Sequence, residues 1–193
     1  MSEEILTGLI LAGGLARRMG GGDKGLRPFM GKPLVAHAIE RLAPQVDFLL
    51  INANQNSEAY ARFGYPVIAD AVSGFAGPLA GLHAGLLAAK TPLLVTAPCD
   101  SPFLPLDLVS RLHGGLLAAA ADLAVAKTGE QPHPVFSLVR REVLQSLSEF
   151  LASGGRKIDL WYSALKVVEV PFADEAAFAN INTPEELDRL ESR

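Results

Sequence analysis

The sequence predicts an α/β domain built on a mainly parallel central sheet with helices on both faces. Three observations predict it. Short apolar runs alternate with helical periods through the first half of the chain, as in βαβ units. Those runs are near-continuously apolar, which fits strands buried on both faces. Polar residues and glycines stand just past the end of several runs, where open α/β sheets bind their ligands. The 193 residues suit one domain with a sizeable core, and no repeat, low-complexity linker or domain boundary divides residues 1–193.

Each element has its own signal. Ile5 to Ala12 is an apolar run and reads as the first strand. Pro33 is placed to open a helix through Leu42, with Leu34, His37, Ala38 and Arg41-Leu42 at helical spacing. Phe48 to Ile51 reads as a buried strand ending at Asn52-Ala53-Asn54. A helix from Ser57 to Phe63 leads to a short strand, Pro66 to Ala69, which ends at Asp70. Gly74 to Gly77 is a turn, and Pro78 opens a helix over Leu79 to Ala89. Leu93 to Thr96 is the next strand and runs into Pro98-Cys99-Asp100. A helix is expected from Leu106 to Ala120.

In the second half, Asp122 to Ala126 and Val135 to Val139 read as strands across a polar turn at Gly129-Glu130. Arg140 to Ala152 reads as helix, interrupted by Gly154-Gly155, and Arg156 to Leu165 as another. Lys166 to Phe172 alternates like a half-exposed strand, so the later part of the sheet is expected to be mixed. Thr183-Pro184-Glu185-Glu186 is a capping box that starts a last helix.

Composition narrows the function. Hydrophobic residues make up 49% of the chain and the net charge is −4, which excludes a disordered tail and argues against a general nucleic-acid binder. Against that acidic background, residues 12 to 32 hold five cations, Arg17, Arg18, Lys24, Arg27 and Lys32, and the single acid Asp23. The positive charge is local, as a small anionic ligand requires. The one cysteine, Cys99, permits no internal disulfide and no cysteine metal cluster, and the four histidines lack zinc-ligand spacing. The start, Met-Ser-Glu-Glu before an apolar run, has the wrong charge order for a secretory signal, and no apolar run is long enough to span a bilayer. The cytoplasm is the expected compartment, with no membrane partner.

The chemistry concentrates after the first strand. Leu9 to Gly25 holds Gly13, Gly14, Gly20, Gly21, Gly22 and Gly25, with Arg17, Arg18 and Lys24 among them. Glycines let backbone N–H groups approach a ligand closely and form an anion-binding concavity. Arginine adds a planar fork for phosphate and lysine a point charge. Gly20-x-Gly22-x-x-Gly25 matches the dinucleotide fingerprint as a string, but it stands well past the strand and runs into Arg27-Pro28 instead of opening a helix. The Walker loop fails as well, for want of Gly-Lys-Ser/Thr. The competing reading is a surface loop with solvated charges.

Asn52, Asp70 and Asp100 come just after other strands and join the glycine loop at one edge. Asp100 is the metal candidate, because magnesium prefers oxygen ligands and is usually held by one or two carboxylates plus substrate phosphates. Its competing role is to cap the next helix. Asn52 and Asp70, taken singly, are as readily turn formers. A thiol nucleophile at Cys99 is disfavoured, since nothing places His83 or His133 beside it and free cysteine behaves as a small buried hydrophobe. Trp161 and Tyr162 read as packing residues.

Leu11-Ala12-Gly13-Gly14, Arg17-Arg18-Met19-Gly20-Gly21, Asp23-Lys24-Gly25 and Gly31-Lys32-Pro33-Leu34 together resemble the signature of the MobA-like nucleotidyltransferases, in the form of their molybdenum cofactor guanylyltransferase branch. Gly77-Pro78-Leu79-Ala80-Gly81, Gly154-Gly155-Arg156-Lys157 and Asn180-Ile181-Asn182-Thr183-Pro184-Glu185-Glu186-Leu187 also match that family. The resemblance implies a Rossmann-like nucleotidyltransferase fold. It implies transfer of GMP from GTP to the terminal phosphate of molybdenum-bound molybdopterin, with Mg²⁺ as cofactor and pyrophosphate released. It implies nucleotide contacts from Leu11, Ala12, Gly13, Gly14, Lys24, Asn52, Asp70 and Asp100, with Asp100 on the metal. Arg18 and Lys24 would neutralise the β- and γ-phosphates.

Arg156, Lys157, Asn180 and Asn182 are read as pterin contacts, although Arg156 and Lys157 read equally well as solvated charges at a helix start. Asn180 and Asn182 alternate, so in extended chain they share a side. A labile product also implies partners that insert molybdenum and apo-molybdoenzymes that receive the cofactor. A cytidylyltransferase on the same pterin, another small-substrate nucleotidyltransferase and a non-catalytic GTP-binding module remain alternatives. A sugar-nucleotide enzyme would carry an Asp-x-Asp pair, which the chain lacks.

Overall fold

Apolar strands cannot leave their two faces in water, and this chain covers both. The computed structural model describes residues 4–13, 23–72, 77–183 and 185–187. Its strands are β1 (Leu6–Leu11), a short hairpin of β2 (Pro28–Phe29) and β3 (Lys32–Pro33), β4 (Phe48–Asn52), β5 (Val67–Ile68), β6 (Leu93–Pro98), β7 (Leu123–Thr128), β8 (Gln131–Arg140) and β9 (Val167–Phe172). Its helices are α1 (Leu34–Leu42), α2 (Ser57–Ala61), α3 (Pro78–Ala88), α4 (Leu108–Ala118), α5 (Leu144–Ala152) and α6 (Ile158–Tyr162).

Seven strands form one sheet in the order β5-β4-β1-β6-β8-β7-β9. β8 runs antiparallel to both of its neighbours, while β5, β4, β1 and β6 are parallel, as are β7 and β9. The expected mainly parallel, mixed sheet is therefore present. One face carries α1 and α4, whose Val35, Ala38, Leu42, Leu108, Leu112 and Leu116 pack on Leu6, Ile10, Ile51 and Val95. The other carries α3, α5 and α6, with Leu79, Leu86, Leu147, Leu151 and the buried Trp161 on Leu9 and Leu94. Residues 9 and 10 of β1 thus feed opposite cores, as the period of two requires.

Several boundaries differ from the sequence pattern, each for a local reason. Helix α1 starts at Leu34, with Pro33 as its cap residue in β3. The first helix N–H groups have no intrahelical acceptor; here Leu34 N donates to Arg27 O at 2.9 Å and Val35 N to Gly25 O at 2.9 Å. The lysine-bearing loop is thereby tied to the helix. Helix α4 begins at Leu108, not Leu106, because Leu108 N closes a turn on Pro105 O. Arg140 belongs to β8, paired with Leu93, and a 3₁₀ turn at Arg141–Val143 precedes α5. The α5 end is a Schellman motif, Gly155 N to Phe150 O at 2.9 Å and Gly154 N to Leu151 O at 3.1 Å. Arg156 serves that end, so α6 begins only at Ile158. The β2–β3 hairpin and the 3₁₀ turn Glu175–Phe178 had no sequence signal strong enough to predict them. Of the expected turn at 74–77, residues 74–76 lie outside the described residues.

Candidate active site

The parallel register aligns four strand ends in one row. Leu11 pairs with Asn52 on one side and Pro98 on the other, and Asn52 pairs with Ile68. The residues just beyond each strand therefore meet at the same edge: Ala12-Gly13, Ala53-Asn54, Asp70 and Asp100. The chain leaves β1 toward β4 and β5, then returns to place β6 on the far side of β1. That reversal opens a crevice between β1 and β6, the place where doubly wound sheets take their ligands.

Lys24 crosses this crevice. Its ammonium forms an ion pair with Asp100 Oδ2 and donates to Asn182 Oδ1 at 2.6 Å. Three segments distant in sequence thus converge on one nitrogen. Asp100 is 6% exposed, so its charge needs the partner it has. It does not cap a helix: α4 starts at Leu108 behind Asp107. Its backbone O accepts from Ile181 N at 3.0 Å, and the neighbouring Ser101 Oγ donates to Asn180 Oδ1 at 2.5 Å. Ile181 is buried with Phe29 and Leu34, while Asn180 and Asn182 on either side of it remain exposed.

Asn52 and Asp70 form a second group across β4 and β5. Asn52 is buried and its Nδ2 donates to Asp70 Oδ1 at 2.9 Å. Asn54 donates to Asp70 Oδ2 at 2.8 Å and accepts from Asp70 N at 2.9 Å. A Cβ on Gly81 would lie 2.5 Å from Asn52 Oδ1 and 2.6 Å from Leu11 Cδ2, so only glycine lets α3 start this close to the strand ends. Gly13 approaches the same amides.

The loop carrying Lys24 has its own support. Asp23 accepts from Gly25 N at 3.1 Å, from Asn56 Nδ2 at 3.2 Å and from the Tyr60 hydroxyl. Cys99 is buried beneath this loop, and burial, with the nearby Asp100 and Asp23 carboxylates, holds its thiol well above the usual range. His83 bonds Ser148 on α5 at 2.9 Å; His133 bonds Thr128 at 2.7 Å and stacks on Phe178. Neither histidine serves Cys99.

The remaining candidates fall elsewhere. Arg156 is exposed and donates to Leu151 O at 3.0 Å and Gly155 O at 2.7 Å; Lys157 is the exposed cap residue of α6. Gly14 and Arg18 lie outside the described residues. Asp23, Asn54, Tyr60 and Ser101 were not among the site residues expected from the sequence. Two of these left a trace: Asp23 stands next to Lys24, and Asn54 sits two residues beyond Asn52 on the same extended run.

Known proteins match this chain along most of its length. A family model described as the MobA-like NTP transferase domain matches residues 8–166. The chain is 52% identical, over the whole of both chains, to the molybdenum cofactor guanylyltransferase of Cupriavidus taiwanensis. It is 53% identical to that of Ralstonia nicotianae over 97% of each chain. Among solved structures, molybdopterin-guanine dinucleotide biosynthesis protein A from Archaeoglobus fulgidus superposes with a TM-score of 0.81 at 28% identity, covering 96% of this chain and 97% of the other. With the family model spanning most of the chain and these relatives matching it nearly end to end, the chain belongs to the MobA-like NTP transferase family.

Proposed function

We propose that this chain is a magnesium-dependent molybdenum cofactor guanylyltransferase. It joins the GMP part of GTP to the terminal phosphate of molybdenum-bound molybdopterin and releases pyrophosphate. The observation that carries this reading is the Lys24 ammonium held between Asp100 and Asn182 at the β1–β6 crevice. The names of relatives about 52% identical over the full chain supply the substrates.

The residues suit the chemistry. The attacking group is a phosphate monoester with a second pKa of about 6, so it is largely ionised at neutral pH and needs no strong base. The work is to bring two anions together and to stabilise the leaving pyrophosphate, which rests on positioning and electrostatics. Lys24 and Arg18 neutralise the β- and γ-phosphates. The glycine loop with Leu11, Ala12, Gly13 and Gly14 gives backbone contacts to the nucleotide, and Asn52 and Asp70 hold its nucleoside end. Asn180 and Asn182 are assigned to the acceptor phosphate, and Arg156 and Lys157, on the turn between α5 and α6, to its pterin.

The donor set also fits magnesium. Asp100 Oδ2 and Asn182 Oδ1 both accept from one nitrogen, so two oxygens already converge on a cation. Asp100 would hold the ion, with Asn182 as the neighbouring oxygen, matching a metal that uses few protein ligands and keeps substrate phosphates. When bound, the ion neutralises phosphate charge and polarises the α-phosphorus.

The test is pyrophosphate release with GTP, magnesium and molybdenum–molybdopterin. The parent should turn over with GTP in preference to CTP. Asp100→Ala should lose about a hundredfold or more, a metal contact being worth several kcal/mol, with the fold retained by circular dichroism. Undiminished turnover in Asp100→Ala would remove the metal role, and equal use of CTP would remove the guanine preference.

A further inference from the structure

The Asp23 carboxylate has more partners than its place in a surface loop requires. It accepts from the backbone of Gly25 on one side of Lys24. Its other two donors, Tyr60 and Asn56, come from α2 and the residue before it. Tyr60 is fully buried, and burial above all holds its phenol protonated far beyond neutral pH, so it remains a donor. Asn56 adopts a left-handed backbone, φ 52°, and leaves α2 without a side-chain cap; its amide goes to Asp23 instead. Gly25 completes the fit: a Cβ there would lie 2.5 Å from the Tyr60 hydroxyl and 3.1 Å from Cys99 Sγ.

We propose that Asp23, gripped by Tyr60 and Asn56, is a positioning residue that holds Lys24 pointed into the β1–β6 crevice, where Asp100 and Asn182 meet it and where the phosphates would. The grip also ties Lys24 to the loop after β4. That loop carries Asn54, which holds Asp70. The group facing the triphosphate and the group facing the nucleoside are therefore fastened through one short segment, residues 52–60. This proposal rests on the reading of Lys24 as a phosphate contact.

A double-mutant cycle tests it. GTP affinity is measured by calorimetry with magnesium present, and kcat/KM by pyrophosphate release, for the parent, Tyr60→Phe, Lys24→Ala and the double variant. Tyr60→Phe keeps the buried ring and removes only the hydroxyl. In the parent background it should lower GTP affinity about tenfold, the value of a hydrogen bond to a charged group. In the Lys24→Ala background it should change affinity by less than about twofold, the scatter of independent sites. Asn56→Ala, at an exposed residue, repeats the cycle should Tyr60→Phe fail to fold. Equal losses in both backgrounds, or no loss in the parent background, overturn the proposal alone. A Lys24→Ala variant that binds GTP as well as the parent overturns the reading beneath it as well.

Discussion

Lys24 concentrates the behaviour of the site in a single nitrogen. Its ammonium satisfies a buried carboxylate and an amide oxygen; in the proposed complex it turns to the phosphates. Replacing it with alanine removes one point charge from the triphosphate and strands Asp100. GTP affinity should fall by about 1.5–3 kcal/mol, the worth of a charged hydrogen bond, read as a ten- to hundredfold rise in the calorimetric Kd. His83 offers a residue-scale test of stability, distant from the chemistry. It is 8% exposed with Nδ1 unpartnered, and burial lowers its pKa below the ordinary imidazole value. A depressed folded pKa contributes stability above the unfolded value of about 6.5, and that stability is lost as pH falls. The loss is at most about 1.4 kcal/mol per pH unit for one site. Melting curves from pH 8 to pH 5 should fall more steeply for the parent than for His83→Leu; parallel curves would refute this.

At the scale of elements, residues 23–27, between β1 and α1, are held on two sides. Their carbonyls accept the first donors of α1, and Asp23 and Gly25 lie against Tyr60. Gly25→Ala forces a methyl into the Tyr60 hydroxyl and Cys99, an overpacking that costs about 1–3 kcal/mol. Chemical denaturation should show that loss together with weaker GTP binding, since the same shift displaces Lys24. Most of these elements were legible in the sequence. The apolar runs at Ile5, Phe48 and Leu93, the proline before Leu79 and the glycines after Ala152 all marked real strands, starts and ends. The illegible parts depended on distant partners. Arg140 extends β8 because Leu93 and Asp122 are there to pair with it, and local propensity carries no trace of either. The hairpin at residues 28–33 spans too few residues to show a period.

At the scale of the molecule, the sheet order decides what the site contains. Parallel pairing in register brings Leu11, Asn52, Ile68 and Pro98 level, so residues far apart in the chain face one crevice. The sequence pointed to that edge because each strand ended in a glycine, amide or acid. It could not give the pairing of Lys24 with Asn182, which arises from the segment around Ile181 packing on Phe29 and Leu34. A nucleotide bridging these segments should stabilise the whole fold. GTP at one hundred times its dissociation constant adds about 2.7 kcal/mol, a rise in Tm of about 5–10 °C for a domain of this size. Differential scanning with GTP and magnesium should show that rise in the parent and a smaller one in Lys24→Ala at the same nucleotide concentration. The most direct measurement is a crystal structure of the chain with GTP and magnesium. The account predicts the triphosphate against the loop after β1, Lys24 on its phosphates and the metal on Asp100; guanine nucleotide bound away from the β1–β6 crevice, with Lys24 still paired to Asp100, would contradict it.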